Sequence, residues 1–288
     1  MASKQMAGNR ERTVELKDDS VYFKVYDASY WYEIDGEGED TVVLLHGFTG
    51  TSATWTTFIK DWQDYYQIIT IDLPGHGKTT LDTPRTMEEC CSDIVHLFDH
   101  LKLEKVHLAG YSMGGRTALS IAMLYPARIN SLTLESASPG LNSDNEREIR
   151  VNHDEKLAGR IEQSGIKSFV EFWENIPLFK TQKSLPIDVQ NQIRDERLEQ
   201  SAEGLAYSLR YMGTGKQPSW WDQLQGITIP VLLLAGEYDQ KFIDINKSMS
   251  ERISSSKLVI VENAGHAIHV EQPGIFGKIV NEFYNSIQ

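Results

Sequence analysis

Gly110-Tyr111-Ser112-Met113-Gly114 decides how this chain is read. The pentapeptide has the form G-x-S-x-G. Before it runs Val106-His107-Leu108-Ala109, an apolar stretch that predicts a strand. After it runs Thr117-Ala118-Leu119-Ser120-Ile121-Ala122-Met123, which predicts a helix. Strand, sharp turn and helix together make a nucleophile elbow, in which a strained backbone presents the serine Oγ. Gly110 and Gly114 relieve crowding where strand and helix approach. A serine in an ordinary glycine-rich turn fits the pentapeptide alone equally well, so its partners must decide.

A serine hydroxyl is a weak nucleophile and a weak base near neutrality. It needs an imidazole within hydrogen-bond reach and a carboxylate to orient that imidazole. After such an elbow the chain order is serine, acid, histidine. Val231-Leu232-Leu233-Leu234-Ala235-Gly236 predicts a late buried strand, and Asp239 leaves its end as the acid. Glu237 and Glu135 are the rival carboxylates. Leu258-Val259-Ile260-Val261 predicts the last strand, followed by Asn263-Ala264-Gly265-His266. His266 is the base on this reading, and His269 is its alternative. His96, His100 and His107 fall within a predicted helix or strand and read as packing or surface residues.

Val42-Val43-Leu44-Leu45 predicts another buried strand, ending at His46-Gly47-Phe48-Thr49-Gly50. Backbone N–H groups of Phe48 and Met113 would converge on developing negative charge. His46 reads as a brace for that loop. Neither H-E-x-x-H nor paired Cys-x-x-Cys occurs, so no metal is expected.

The 288 residues are 40% hydrophobic, without a run long enough to span a bilayer. That length suits one large α/β domain with an insertion. The opening Met1-Ala2-Ser3-Lys4-Gln5-Met6 lacks the apolar segment of a signal peptide. Cys90 and Cys91 are adjacent, a poor geometry for a disulfide, and read as free thiols in a reducing cytoplasm. A formal net charge of -13 argues against nucleic acid and anionic membranes as partners.

A polar stretch to about Asp19 reads as loosely ordered. Val21 to Val25 and Ser29 to Ile34 predict an antiparallel pair. Helices are expected over Thr54 to Trp62 and Thr86 to Leu101, with a strand at Ile68 to Asp72. Apolar strands alternating with helices imply a mostly parallel sheet covered on both faces. From about Pro139 to Gln225 amphipathic helical segments replace strands, which suits a cap that excludes water and contacts substrate. The expected division is a core over 20–139 and 226–288 with a helical cap over 140–225.

Several segments together resemble one known family. They are His46-Gly47-Phe48-Thr49-Gly50, Gly110 to Arg116, Phe172-Trp173-Glu174-Asn175-Ile176-Pro177-Leu178-Phe179, Met212 to Ser219, and Gly265-His266-Ala267-Ile268-His269-Val270-Glu271. The first and last are generic to a superfamily; the middle three are more specific. From about Val42 onward the chain resembles the 2-succinyl-6-hydroxy-2,4-cyclohexadiene-1-carboxylate synthases of menaquinone biosynthesis. The resemblance implies an α/β-hydrolase fold, a lyase that eliminates pyruvate, no metal and no organic cofactor. It also implies a small anionic substrate in a cytoplasmic enzyme that is a monomer or a weak homo-oligomer.

By the same resemblance Arg150, Arg197, Tyr111 and Trp173 line the substrate pocket. Arg116 follows Ser112 by one helical turn, where a cation opposes the helix dipole. That placement invites a role in holding a substrate carboxylate, against the alternative of an internal salt bridge to a cap carboxylate. Ser112 would then act as a base, drawn on by His266 and Asp239. An esterase, thioesterase or C–C hydrolase using the same triad is the rival reading. A binding protein on a hydrolase scaffold is the third.

Overall fold

The computed structural model describes residues 21–287. The polar stretch expected to be loosely ordered, up to about Asp19, lies outside the described residues. Strands β1 (Val21–Val25) and β2 (Ala28–Asp35) form an antiparallel hairpin. Along the chain follow β3 (Asp40–Leu45), α1 (Thr56–Trp62), β4 (Tyr66–Ile71), β5 (Thr80–Leu81) and α2 (Met87–His100). Then come β6 (Val106–Tyr111), α3 (Met113–Leu124) and β7 (Ile129–Glu135). Three helices without an intervening strand follow: α4 (Asp144–Trp173), α5 (Ile187–Leu198) and α6 (Ala202–Met212). The rest is β8 (Val231–Gly236), α7 (Gln240–Ser250), β9 (Ser256–Val261), α8 (Ile268–Glu271) and α9 (Pro273–Asn285).

The strands form one sheet in the order β1-β2-β4-β3-β6-β7-β8-β9, with β5 paired to β2. Pairings from β4 through β9 are parallel; those of β2 are antiparallel. Strands β6 and β8 are buried at every residue, as strands covered on both faces must be. Alternation along β3 shows the two layers. Val43 and Leu45 pack with Cys90, Ile94 and Leu119 on the α2–α3 side. Val42 and Leu44 pack with Phe58 and Phe276 on the α1–α9 side. Successive side chains of a strand point to opposite faces, so one apolar run feeds both cores.

Local signals set the helix ends. Thr86 caps α2 through a reciprocal capping box with Glu89. The helix expected from Thr54 starts instead as a 3-10 turn over Ser52–Trp55, which Thr51 caps, and becomes α-helical at Thr56. Ser143 and Glu146 form another capping box at α4. That long helix breaks at Gly165, whose φ of 73° leaves the helical region. Its apolar side, with Leu157, Ile161 and Phe169, packs on Leu205 and Leu209 of α6. This third core lies over the carboxyl ends of the strands through Phe48, which touches both it and the α2–α3 core.

Two buried histidines fix the loops at that edge. His46 Nδ1 donates to Gly47 O at 2.8 Å, and its Nε2 accepts from Leu73 N at 2.9 Å. Burial pushes the His46 pKa down to about 4. His76, with its ring centroid 5.1 Å from that of His46, is pushed to about 3 by burial and then by His46. Both rings are therefore neutral near pH 7, and His46 braces the Phe48 loop as a fixed tautomer.

Two predictions follow from these contacts. A Cβ on Gly114 would lie 2.1 Å from Leu45 O, a contact no rotamer can relieve. Gly114→Ala should therefore lose most folded protein or several degrees of Tm in a thermal melt; an unchanged Tm would contradict this packing. The unfolded chain protonates His46 near pH 6.5, whereas the folded chain does so only near pH 4. The stability this shift withholds is intact above pH 6.5 and drains as pH falls toward 4. Acidification from pH 7.5 to 5 should cost wild type about 2 kcal/mol more than His46→Gln in urea unfolding. Parallel pH dependences would show that His46 is not buried neutral.

Candidate active site

Ser112 sits between β6 and α3 with φ 51° and ψ -104°, outside the usual regions for a side-chain-bearing residue. Its N–H donates to Glu135 O at 2.8 Å in β7. A Cβ on Gly110 would meet Gly114 O at 2.3 Å, where β6 approaches α3, and a Cβ on Gly114 would meet Leu45 O at 2.1 Å, where α3 approaches the end of β3. The elbow read from the pentapeptide is thus present; Gly110 has the role expected of it, while Gly114 makes room for β3 and not for the strand that precedes Ser112.

Asp239 and His266 complete a relay. Asp239 follows β8 and caps α7, accepting from Phe242 N. His266 Nδ1 lies 2.6 Å from Asp239 Oδ2, and its Nε2 lies 3.1 Å from Ser112 Oγ. A carboxylate at Nδ1 holds the proton there and leaves Nε2 to accept from the serine. The histidine loop is fixed by Glu271, whose carboxylate accepts from Gly265 N at 2.7 Å.

The rival residues are engaged elsewhere. Glu237 accepts from Asn263 N at 2.9 Å and stitches two loops together. Glu135 and His269 pair with each other: His269 Nδ1 is 2.9 Å from Glu135 Oε2, and His269 N donates to Oε1 at 3.0 Å. Both are buried. The Tyr111 ring separates this pair from the relay, with centroids 4.6 Å from His269 and 5.4 Å from His266.

A cavity of about 560 Å³ opens onto Ser112 and His266. Phe48, Met113, Tyr111, Trp173, Arg116 and Arg150 all line it. Asp239 stands behind His266, away from the cavity wall. Arg197 does not line this cavity itself. Its guanidinium lies 4.7 Å from the Phe179 ring centroid and donates to Gln182 Oε1, and it lines a small neighbouring cavity with Phe48, Tyr111 and Phe179. Its position depends on how Phe179 packs, which residue spacing does not encode.

The two cavity arginines are held differently. Arg150 Nε pairs with Asp154 Oδ1 at 2.8 Å. Arg116 has no carboxylate partner within ion-pair distance among the described residues; it donates to Met212 O at 2.9 Å and to Gln217 Oε1. Burial, then the neighbouring Arg150, push the Arg116 pKa down to about 9, while Asp154 opposes. Arg116, Arg150 and Lys241 against Asp154 and Glu146 leave the cavity lining with an excess positive charge. A bound carboxylate would offset that cost. Gln217 was missed as a positioning group, although it stands inside the Met212 to Ser219 segment that marked the family.

Among the described residues no group of three His, Cys, Asp or Glu side chains could hold a metal ion, and no helix is long and apolar enough to cross a membrane.

The comparisons with known proteins agree on the scaffold. A family model described as alpha/beta hydrolase fold matches residues 40–273. A Bacillus subtilis (strain 168) protein provisionally named 2-succinyl-6-hydroxy-2,4-cyclohexadiene-1-carboxylate synthase is 47% identical over 89% of this chain and 95% of its own length. The structure of MenH from S. aureus matches with a TM-score of 0.86 and 38% identity, covering 89% of this chain and 98% of that one. A thermophilic esterase from Thermogutta terrifontis, with malate bound, matches with a TM-score of 0.81 and 27% identity over 90% of this chain and 94% of that one. This chain belongs to the alpha/beta hydrolase fold family, and within it to the 2-succinyl-6-hydroxy-2,4-cyclohexadiene-1-carboxylate synthases.

Proposed function

We propose that this chain eliminates pyruvate from 2-succinyl-5-enolpyruvyl-6-hydroxy-3-cyclohexene-1-carboxylate, giving 2-succinyl-6-hydroxy-2,4-cyclohexadiene-1-carboxylate for menaquinone biosynthesis. The observation that carries this reading is a strained serine, bonded to a histidine–aspartate pair, opening into the same cavity as Arg116 and Arg150. An ester hydrolase needs the relay. A substrate with several carboxylates also needs buried cations.

Ser112 acts as the base. His266 Nε2 draws the serine proton, and Asp239 keeps the imidazole oriented. Ser112 Oγ removes the ring proton α to the succinyl carbonyl. Backbone N–H groups of Phe48 and Met113 hold the enolate oxygen that results. Electrons move through the ring and break the bond to the enolpyruvyl oxygen. The leaving enolate gains a proton at its methylene carbon and becomes pyruvate. Protons and electron pairs suffice, so the reaction calls on no metal and no organic cofactor. Arg116 and Arg150 hold substrate carboxylates, with Tyr111 and Trp173 as walls. Arg197 acts through Phe179. The helical segment over 140–225 serves as the cap. The enzyme works on a small molecule in the cytoplasm, as a monomer or weak homo-oligomer.

The direct test is pyruvate release from the enolpyruvyl substrate, read with a coupled dehydrogenase. Turnover is expected; stoichiometric binding without pyruvate would sink the proposal. Ser112→Ala, Asp239→Asn and His266→Ala should each cost orders of magnitude, and the losses should not add. His269→Ala should instead lower Tm, because it strands the buried Glu135, and should leave turnover of the folded fraction far closer to wild type. A loss matching that of His266→Ala would reassign the base.

Arg116 separates the lyase from the esterase reading. A desolvated guanidinium–carboxylate contact is worth roughly 2–5 kcal/mol, so its loss lowers kcat/KM about thirty-fold or more. Arg116→Lys should fail almost as badly as Arg116→Ala, since an ammonium cannot reproduce the planar fork. Any side cleavage of p-nitrophenyl acetate should fall much less. Equal losses on both substrates would mean that Arg116 only supports the elbow.

A further inference from the structure

Ser136 follows β7 directly and has φ 49°, in the left-handed region. It is fully buried. Its Oγ has no hydrogen-bond partner among the described residues. The residue also lines the cavity that holds Ser112 and His266. Its N–H donates to Leu234 O of β8 at 2.9 Å, which fixes it at the carboxyl edge of the sheet. There it lies between the strand that delivers Ser112 and the strand that leads to Asp239.

Two costs coincide at this position. A side chain in the left-handed region is strained, and a buried hydroxyl without a partner forfeits the hydrogen bonds it makes to water. Glycine would remove both. Nearby Ser138 shows the contrast: its Oγ accepts from Gly140 N at 3.2 Å. Buried polar groups are normally satisfied, and exceptions at a cavity wall point to a ligand.

We infer that Ser136 Oγ is a substrate-binding hydroxyl that pairs with the 6-hydroxyl of the substrate ring. The inference rests on the function proposed above. Elimination among the substrate's oxygens selects that group. Its carboxylates call for guanidiniums, because a single neutral hydroxyl cannot compensate a desolvated anion. Its succinyl carbonyl is taken by the backbone N–H pair. The enolpyruvyl ether oxygen and the ring hydroxyl remain; the ether oxygen can only accept and leaves with pyruvate, whereas the hydroxyl can both donate and accept, as Ser136 Oγ can, and stays on the ring. Ser136 thereby favours the hydroxylated ring over its dehydrated, aromatic counterpart.

The test compares two ligands that differ in this group. The hydroxylated reaction product and 2-succinylbenzoate, its dehydrated aromatic form, are each titrated calorimetrically into wild type, Ser136→Ala and Ser136→Gly. Ser136→Ala should weaken binding of the hydroxylated ligand about three- to ten-fold, the range expected for one neutral hydrogen bond. Binding of 2-succinylbenzoate should stay within about two-fold. Ser136→Gly should show the same selectivity with an equal or higher Tm, because glycine adopts this φ without strain, so misfolding cannot explain the loss. Equal weakening of both ligands, or of neither, overturns the inference while leaving wild-type pyruvate release intact. Wild type that neither releases pyruvate nor binds the product overturns the proposed function, and this inference with it.

Discussion

Where β6 runs into α3 the two backbones come so close that only glycine fits at Gly110, and where α3 passes the end of β3 only glycine fits at Gly114. That approach forces Ser112 to φ 51°, and the N–H of Ser112 is tied to Glu135 O at 2.8 Å. The strain is local, but it is held by the whole sheet. Leu45 O of β3 crowds Gly114 from one side, while Glu135 of β7 holds the serine from the other. Sheet order therefore decides where Oγ points. Strand β8 then brings Asp239, and the loop after β9 brings His266, to the same edge. This edge, beyond the carboxyl ends of parallel strands, is where ligands of open α/β sheets bind.

Charge is the second constraint. The chain carries a formal net charge of -13, so its overall field opposes an anionic substrate. The cavity reverses this locally. Arg150 is tied to Asp154, and Arg116 is left with neutral partners, Met212 O and Gln217. Attraction of a carboxylate is thus confined to the cavity, close to Ser112. Confinement lets the cations hold and orient substrate without making the surface sticky toward nucleic acid.

Much of the framework was legible in the sequence because it rests on local rules. The G-x-S-x-G turn, the apolar runs of β3, β6 and β8, and the helical periodicity of α2 all depend on neighbours a few residues apart. Order along the chain and position after a strand also selected Asp239 and His266, two residues that the fold brings into contact with each other and, through His266, with Ser112. What the sequence hid depends on distant pairing. Nothing in spacing says that the two rivals, Glu135 and His269, satisfy each other. Nothing says that Arg197 lies against the Phe179 ring. The break of α4 at Gly165 sits in an otherwise continuous helical pattern. Ser136 looks like any loop serine until its burial, its φ and its bare hydroxyl are seen together.

The central claim is that Ser112 takes a proton and forms no bond to carbon. Intact-protein mass spectrometry of rapidly quenched turnover with the enolpyruvyl substrate tests it most directly. The account predicts only unmodified protein at every time point, while pyruvate accumulates. A covalent adduct on Ser112, formed and lost at a rate matching turnover, would contradict it and make the serine an acyl nucleophile.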